Sequence, residues 1–179
     1  MSTELRRILD TLSGIVFYPM DNYKARVKDC LDSLQGESTQ TIENIRKFWN
    51  DVDNLPINDL REYFTRTFDI NPLCSLEVGW QLFGENYDRG NFLVVMRREM
   101  RCMGLAESSE LPDHLTHVLQ TLGRMEPEAA SEFASACVIP ALMKMLAGLE
   151  GKGNLFEPAL QAISNIVMDH FGNSKGVAN

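Results

Sequence analysis

Apolar residues recur at steps of three and four along most of this chain, the spacing that places them on one face of an α-helix. Leu5, Ile8, Leu9, Leu12, Ile15 and Val16 predict a first helix, closed at Tyr18-Pro19 because proline has no N–H to continue the ladder. Asp21 is placed to cap a second, carrying Tyr23, Val27, Cys30, Leu31 and Leu34, with Gly36 suited to a left-handed exit. A third runs from about Ser38 with Ile42, Ile45, Phe48, Trp49 and Val52 inward. A fourth starts near Pro56 and carries the stripe Leu60, Tyr63, Phe64 and Phe68, which belongs to a core.

After Pro72 the pattern gives a short helix through Val78, Leu82 and Phe83, capped by Ser75 and ended by Gly84. A longer one carries Phe92, Leu93, Met96, Met100 and Met103 to Gly104. Pro112 is read as opening the next, with Leu115, Val118, Leu119 and Leu122 as its core face. On that register Asp113 and His117 fall nearly opposite the core and His114 at its boundary, so all three are expected to be reachable from solvent. From Pro127 a helix runs through Phe133 and Val138, and Pro140 is expected to kink or split it before Leu142, Met145 and Leu149. Asn154 and Glu157 have capping-box spacing for a last helix that buries Phe156, Leu160, Ile163, Val167 and Phe171. No segment shows strand periodicity. The expectation is an all-α, single-domain bundle of about eight or nine helices over 1–172, with a frayed tail at 173–179.

Composition narrows the function classes. The chain has 179 residues, 17 Lys+Arg against 25 Asp+Glu and a net charge of −8. That balance disfavours nucleic acid or an anionic membrane surface as the main partner and favours a basic one. No apolar run approaching the roughly 18 residues of a membrane span is evident, and no signal-peptide pattern opens the chain, so a cytoplasmic protein without membrane insertion is expected. Cys30, Cys74, Cys102 and Cys137 lie far apart, without paired spacing, and read as reduced, mostly buried thiols.

Candidate chemistry is sparse. His114 and His117, at i and i+3, could reach one ion from a helix and support a metal-dependent hydrolase, but two ligands are short of a set. No glycine pattern cradles a phosphate and no nucleophile stands in a recognisable setting. Asp69 is conspicuous for another reason. It sits at the expected C-terminus of an aromatic helix, where an anion is disfavoured by roughly 0.3–1 kcal/mol unless it is paired or caps the following turn.

Three pieces remain: the helix ending Phe68-Asp69, the turn Gly84-Glu85-x-x-x-Arg89-Gly90, and Glu110-Leu111-Pro112-Asp113-His114-Leu115. In that order they resemble the cytoplasmic chaperones of molybdenum oxidoreductases, the TorD/DmsD/NarJ superfamily, most closely its NarJ branch, the nitrate reductase delta-subunit or molybdenum cofactor assembly chaperones. The resemblance implies a non-enzymatic, all-helical protein, monomeric or weakly dimeric. It would bind the N-terminal peptide of a molybdoenzyme catalytic subunit until that client receives its molybdopterin guanine dinucleotide, with no cofactor held tightly by the chaperone. It also implies peptide-binding roles for Pro112, Asp113 and His114. By the same matching Tyr63, Phe68 and Asp69 line the groove, Glu85 and Arg89 shape the adjoining turn, and His117 lies beside the motif. The client is left open among enzymes acting on nitrate, chlorate, selenate, dimethyl sulfide or ethylbenzene.

Overall fold

The computed structural model of the chain describes residues 1–172, and the tail expected at 173–179 lies outside them. Helix α1, Thr3–Ile15, starts where the Ser2 hydroxyl accepts from the Leu5 N–H at 3.1 Å, and buries Ile8, Leu9, Leu12 and Ile15. α2 is Tyr23–Ser33. Its entry is not capped by Asp21, which is drawn instead to Arg61 at 2.8 Å; the same guanidinium donates to the Pro19 carbonyl at 2.9 Å and ties the intervening loop down. α3, Thr39–Asp53, is capped by Ser38. α4 runs from Ile57–Phe64 without a break into a π-helical turn, Thr65–Asp69.

The second half continues with α5 (Val78–Phe83), α6 (Tyr87–Cys102) and α7 (Leu115–Leu122). α8 spans Pro127–Leu149 and α9 spans Glu157–Phe171. These make nine helices with no strand among the described residues, and the all-α bundle is as expected. One isolated antiparallel bridge joins Glu77 and His114.

Pro140 does not split α8. A π turn at Ala134–Val138 sits immediately before it, and the wider turn accommodates the proline that would otherwise clash with the carbonyl one turn back. The result is one 23-residue helix whose most apolar stretch has a mean hydropathy of 1.5, long and apolar enough to cross a membrane by length and composition. This corrects the expectation that no such run exists. Part of that apolar content serves the interior, since Ala134, Val138, Ala141, Leu142, Met145 and Leu149 are buried and α8 packs on α9 and α5.

The predicted stripe of α4 is at the centre of the core. Phe48, Phe64 and Phe68 surround Phe156 at ring-centroid distances of 5.5, 5.5 and 5.0 Å, contacts worth about 0.5–1.5 kcal/mol each beyond the area they bury. Phe156 is set by Asn154, whose Oδ1 accepts from the Phe156 N–H at 2.9 Å and whose amide donates to Thr67 at 3.1 Å. That replaces the expected capping box; Glu157 accepts from Gln161 instead. All four thiols are free, Cys30 and Cys74 buried, Cys137 half-buried and Cys102 exposed, so the expectation of mostly buried cysteines fails at Cys102.

Candidate functional site

The site is built where the end of α4, the start of α5, α6 and the segment before α7 meet. The π turn closing α4 sends Phe68 into the core and leaves Asp69 exposed at its end. Asp69 does not cap the next turn. Asn71 does, its Oδ1 accepting from the Leu73 N–H at 3.3 Å, so the aspartate's charge stays on the surface. The turn carries Pro72, whose carbonyl accepts from the Trp80 indole N–H at 2.9 Å and orients that ring.

The Pro112-Asp113-His114 segment lies differently from the expectation. α7 begins at Leu115, and His114 is its N-cap, the ring Nδ1 accepting from the Thr116 N–H at 3.2 Å. The two residues before it run alongside the entry to α5: the Val78 N–H donates to the Asp113 carbonyl, and the Leu115 N–H to the Leu76 carbonyl, both at 2.8 Å. Pro112 is therefore buried, and the expected solvent access of Asp113, His114 and His117 is wrong. They are 0%, 5% and 3% exposed. Pro112 and Asp113 form a turn closed by the His114 N–H donating to the Leu111 carbonyl at 3.0 Å, so a helical register counted from Pro112 cannot place Asp113 or His114; His117 is helical as expected, but the segment carrying Ser108 stands over it.

Asp113 is the least accessible of these. Its Oδ2 accepts from Arg89 Nε at 3.3 Å, while Oδ1 has no hydrogen-bond partner. Gly79 makes room for it: a Cβ there would stand 2.6 Å from Oδ2 and 2.9 Å from the Phe92 ring. Burial pushes the Asp113 carboxyl above its ordinary range, opposed by the Arg89 charge. Arg89 is partly exposed and its guanidinium lies 5.5 Å from the centroid of the Trp80 ring, a cation–π contact that holds it over the cleft.

The histidines do not converge. Burial lowers the His114 pKa to about 3, with His117 nearby adding to the effect, and also lowers that of His117, where Glu107 pulls the other way. His114 lines a cleft with Tyr18 and Phe64. His117 lines a different one, of about 530 Å³, and is held there by Ser108 at 2.9 Å. Among the described residues no three His, Cys, Asp or Glu side chains stand close enough to hold a metal ion. The hydrolase reading therefore has no ligand set to build on.

What the fold does bring together is carboxylate. A cleft of about 370 Å³ is lined by Phe68, Asp69, Ile70, Pro72, Ser75, Glu77, Trp80, Arg89 and Leu111. A second, of about 440 Å³, is lined by Phe17, Tyr18, Met20, Phe64, Asp69, Ser109, Glu110 and His114. Asp69 lines both, so the two clefts adjoin at that residue as halves of an acidic groove. Burial pushes the Glu77 carboxyl up, with the Asp113 and Asp69 charges adding; burial likewise raises Glu110, with Asp69 and Glu77 adding. Asp69 and Glu77 line the first cleft with Arg89, Glu110 lines the second with Asp69, and Arg89 is the one Lys or Arg among the lining residues of either, so a cation entering there would relieve the carboxylates' mutual repulsion.

Of the expected site residues, Phe68, Asp69, Arg89 and His114 line this groove, and Pro112 and Asp113 lie beneath it. Tyr63 does not reach it, packing instead on Phe156 at 6.2 Å and under Arg66. Glu85 is exposed in the turn before α6, outside both clefts. Sequence reasoning missed Glu77, Trp80, Tyr18 and Glu110 as lining residues. Glu110 stood inside a quoted motif, and Trp80 is one of two tryptophans, behind a glycine on a short helix; Glu77 gave no signal of its own.

No protein-family profile and no curated sequence matches the chain. Among solved structures, a crystal structure from Archaeoglobus fulgidus, of a protein proposed to be a redox enzyme maturation protein, has a similar fold. The TM-score is 0.63 at 20% sequence identity, over 92% of this chain and 94% of that one. At that identity the likeness concerns the fold, and the two chains share it over nearly their whole lengths.

Proposed function

We propose that this chain is a cytoplasmic maturation chaperone of the NarJ type, which binds the N-terminal peptide of a molybdenum oxidoreductase's catalytic subunit in the groove around Asp69. It holds the client unassembled until molybdopterin guanine dinucleotide is inserted, and is itself neither an enzyme nor inserted in a membrane. The observation that carries the reading is the meeting of the three sequence pieces at one groove, where Asp69, Glu77 and Glu110 outnumber Arg89. The fold shared with a protein proposed to mature redox enzymes supports it.

The groove suits a peptide with a positive group. Exposed Asp69 can form a charge-assisted hydrogen bond, worth roughly 1.5–3 kcal/mol, while Tyr18 and Leu111 give apolar contact beside it. Asp113 contributes from below, by fixing Arg89 and the entry to α5. Co-purification tests the proposal: expressed with its genomic neighbours and pulled down, the protein brings a large molybdoenzyme subunit with it. Recovery of only unrelated proteins from cultures making active enzyme contradicts it.

A further inference from the structure

We infer that the cleft between α5 and α8 is the seat of an apolar segment of the same peptide, adjoining the residues that take its cationic group. This rests on the reading just given and adds a second subsite with its own chemistry. The cleft measures about 590 Å³, and Leu73, Leu82 and Ala147 give it an apolar lining. It adjoins the acidic groove, since Pro72 and Trp80 line both. A peptide reaching both would cross at the Trp80 indole, beside the Arg89 guanidinium that lies over that ring. The indole is already held by its hydrogen bond to the Pro72 carbonyl, so little ordering is needed on binding.

The chemistry changes across that ring. On the Asp69 side Asp69 and Glu77 outnumber Arg89; the residues lining the α8 side include no carboxylate. The ionic group there is Lys144, whose ammonium donates to the Gln81 carbonyl at 2.6 Å. A peptide cation on the α8 side would be repelled by Lys144, and an apolar side chain on the Asp69 side would strip water from carboxylates without compensation. The arrangement therefore fixes which part of the peptide goes where. Leu73, 63% exposed, is free to cover an apolar side chain seated there. The far end of the groove, at Tyr18 and Met20, also has apolar surface but shares it with Glu110, Asp69 and His114, which makes it the poorer seat.

The protein supplies its own reporter. In a Trp49→Phe background Trp80 is the remaining one of two tryptophans, and it stands between the two subsites. Two synthetic peptides are titrated, each with the same N-terminal arginine, one followed by a leucine block and the other by a serine block. The leucine peptide is expected to bind at least about tenfold tighter and to shift Trp80 emission to the blue. Leu73→Ser and Ala147→Gln, both on the surface, are expected to erase that advantage and leave the serine peptide's affinity unchanged. Equal binding of the two peptides without a shift, or a leucine advantage indifferent to both substitutions, overturns the apolar seat while the cationic groove stands. Failure of both peptides to bind overturns the groove reading together with it.

Discussion

Asp69 and Asp113 carry the same carboxyl group into opposite surroundings. Asp69 ends a π turn in solvent, with its charge uncommitted to any neighbour that anchors the fold; Asp113 is wholly enclosed, gripped by Arg89 on one oxygen and backed by Gly79. Both come from motifs with the same implied role. On the proposed function, the difference divides the work between a residue exposed to meet a partner and one that builds the surface around it. Asp113 belongs to the second kind, so its loss is expected to appear first as a loss of stability.

Asp113→Ala is accordingly the harshest test. Breaking a fully buried pair costs roughly 3–5 kcal/mol, and because Arg89 can turn partly to water the expected loss is about 2–3 kcal/mol by denaturant unfolding. A loss below about 0.5 kcal/mol would erase the distinction from Asp69. Gly79→Ala attacks the same junction from the other side. Its Cβ has no room beside Asp113 Oδ2 and Phe92, and overpacking of this kind costs about 1–3 kcal/mol. An unchanged melting temperature would mean that the carboxylate moves aside freely.

The pH dependence sharpens the comparison further. His114 and His117 are kept neutral by burial, with folded-state values below the ordinary 6.5. Their stabilisation is complete above pH 6.5 and is lost as pH falls, in the case of His114 down to its folded value of about 3. For His114 that removes about 1.4 kcal/mol per pH unit in that window. The raised carboxyls of Asp113, Glu77 and Glu110 run the other way, their contribution complete below their unfolded values and lost as pH rises through the folded ones. His114→Asn keeps a capping oxygen and removes one titrating ring. Thermal melts between pH 6.5 and 4.5 should fall less steeply for this variant than for the wild type; parallel profiles would show that His114 is not held neutral by the fold. The smallest expected effect on stability is that of Asp69→Asn, within about 0.5 kcal/mol as for other surface changes.

Periodicity made most of the scaffold legible. The faces of α1, α3, α4 and α9 are read directly from their spacing, because each helix buries one stripe. What failed was non-local. The register assigned to Asp113 came from treating Pro112 as a helix start, and only the pairing of Leu76–Val78 with residues 113–115 turns that carboxyl inward. Asp21 looks like a helix cap until Arg61 arrives from forty residues away. Pro140 looks like a break until the π turn before it is seen. In the site, Asp69 and Arg89 stood out in sequence, whereas Glu77 matters only because the entry to α5 shares a cleft with the end of α4 and with Arg89 of α6.

The most direct measurement is a calorimetric titration with a peptide matching the N-terminus of the co-purified subunit, against wild type and Asp69→Asn at low and high salt. The wild type is expected to bind, and the folded Asp69→Asn variant to bind about tenfold to a hundredfold more weakly, the loss of one charge-assisted hydrogen bond. High salt should narrow that gap, since Asp69 is exposed to screening. Equal affinity of the two folded proteins at low salt, or no binding by the wild type, would contradict a groove that recognises a cationic peptide through Asp69.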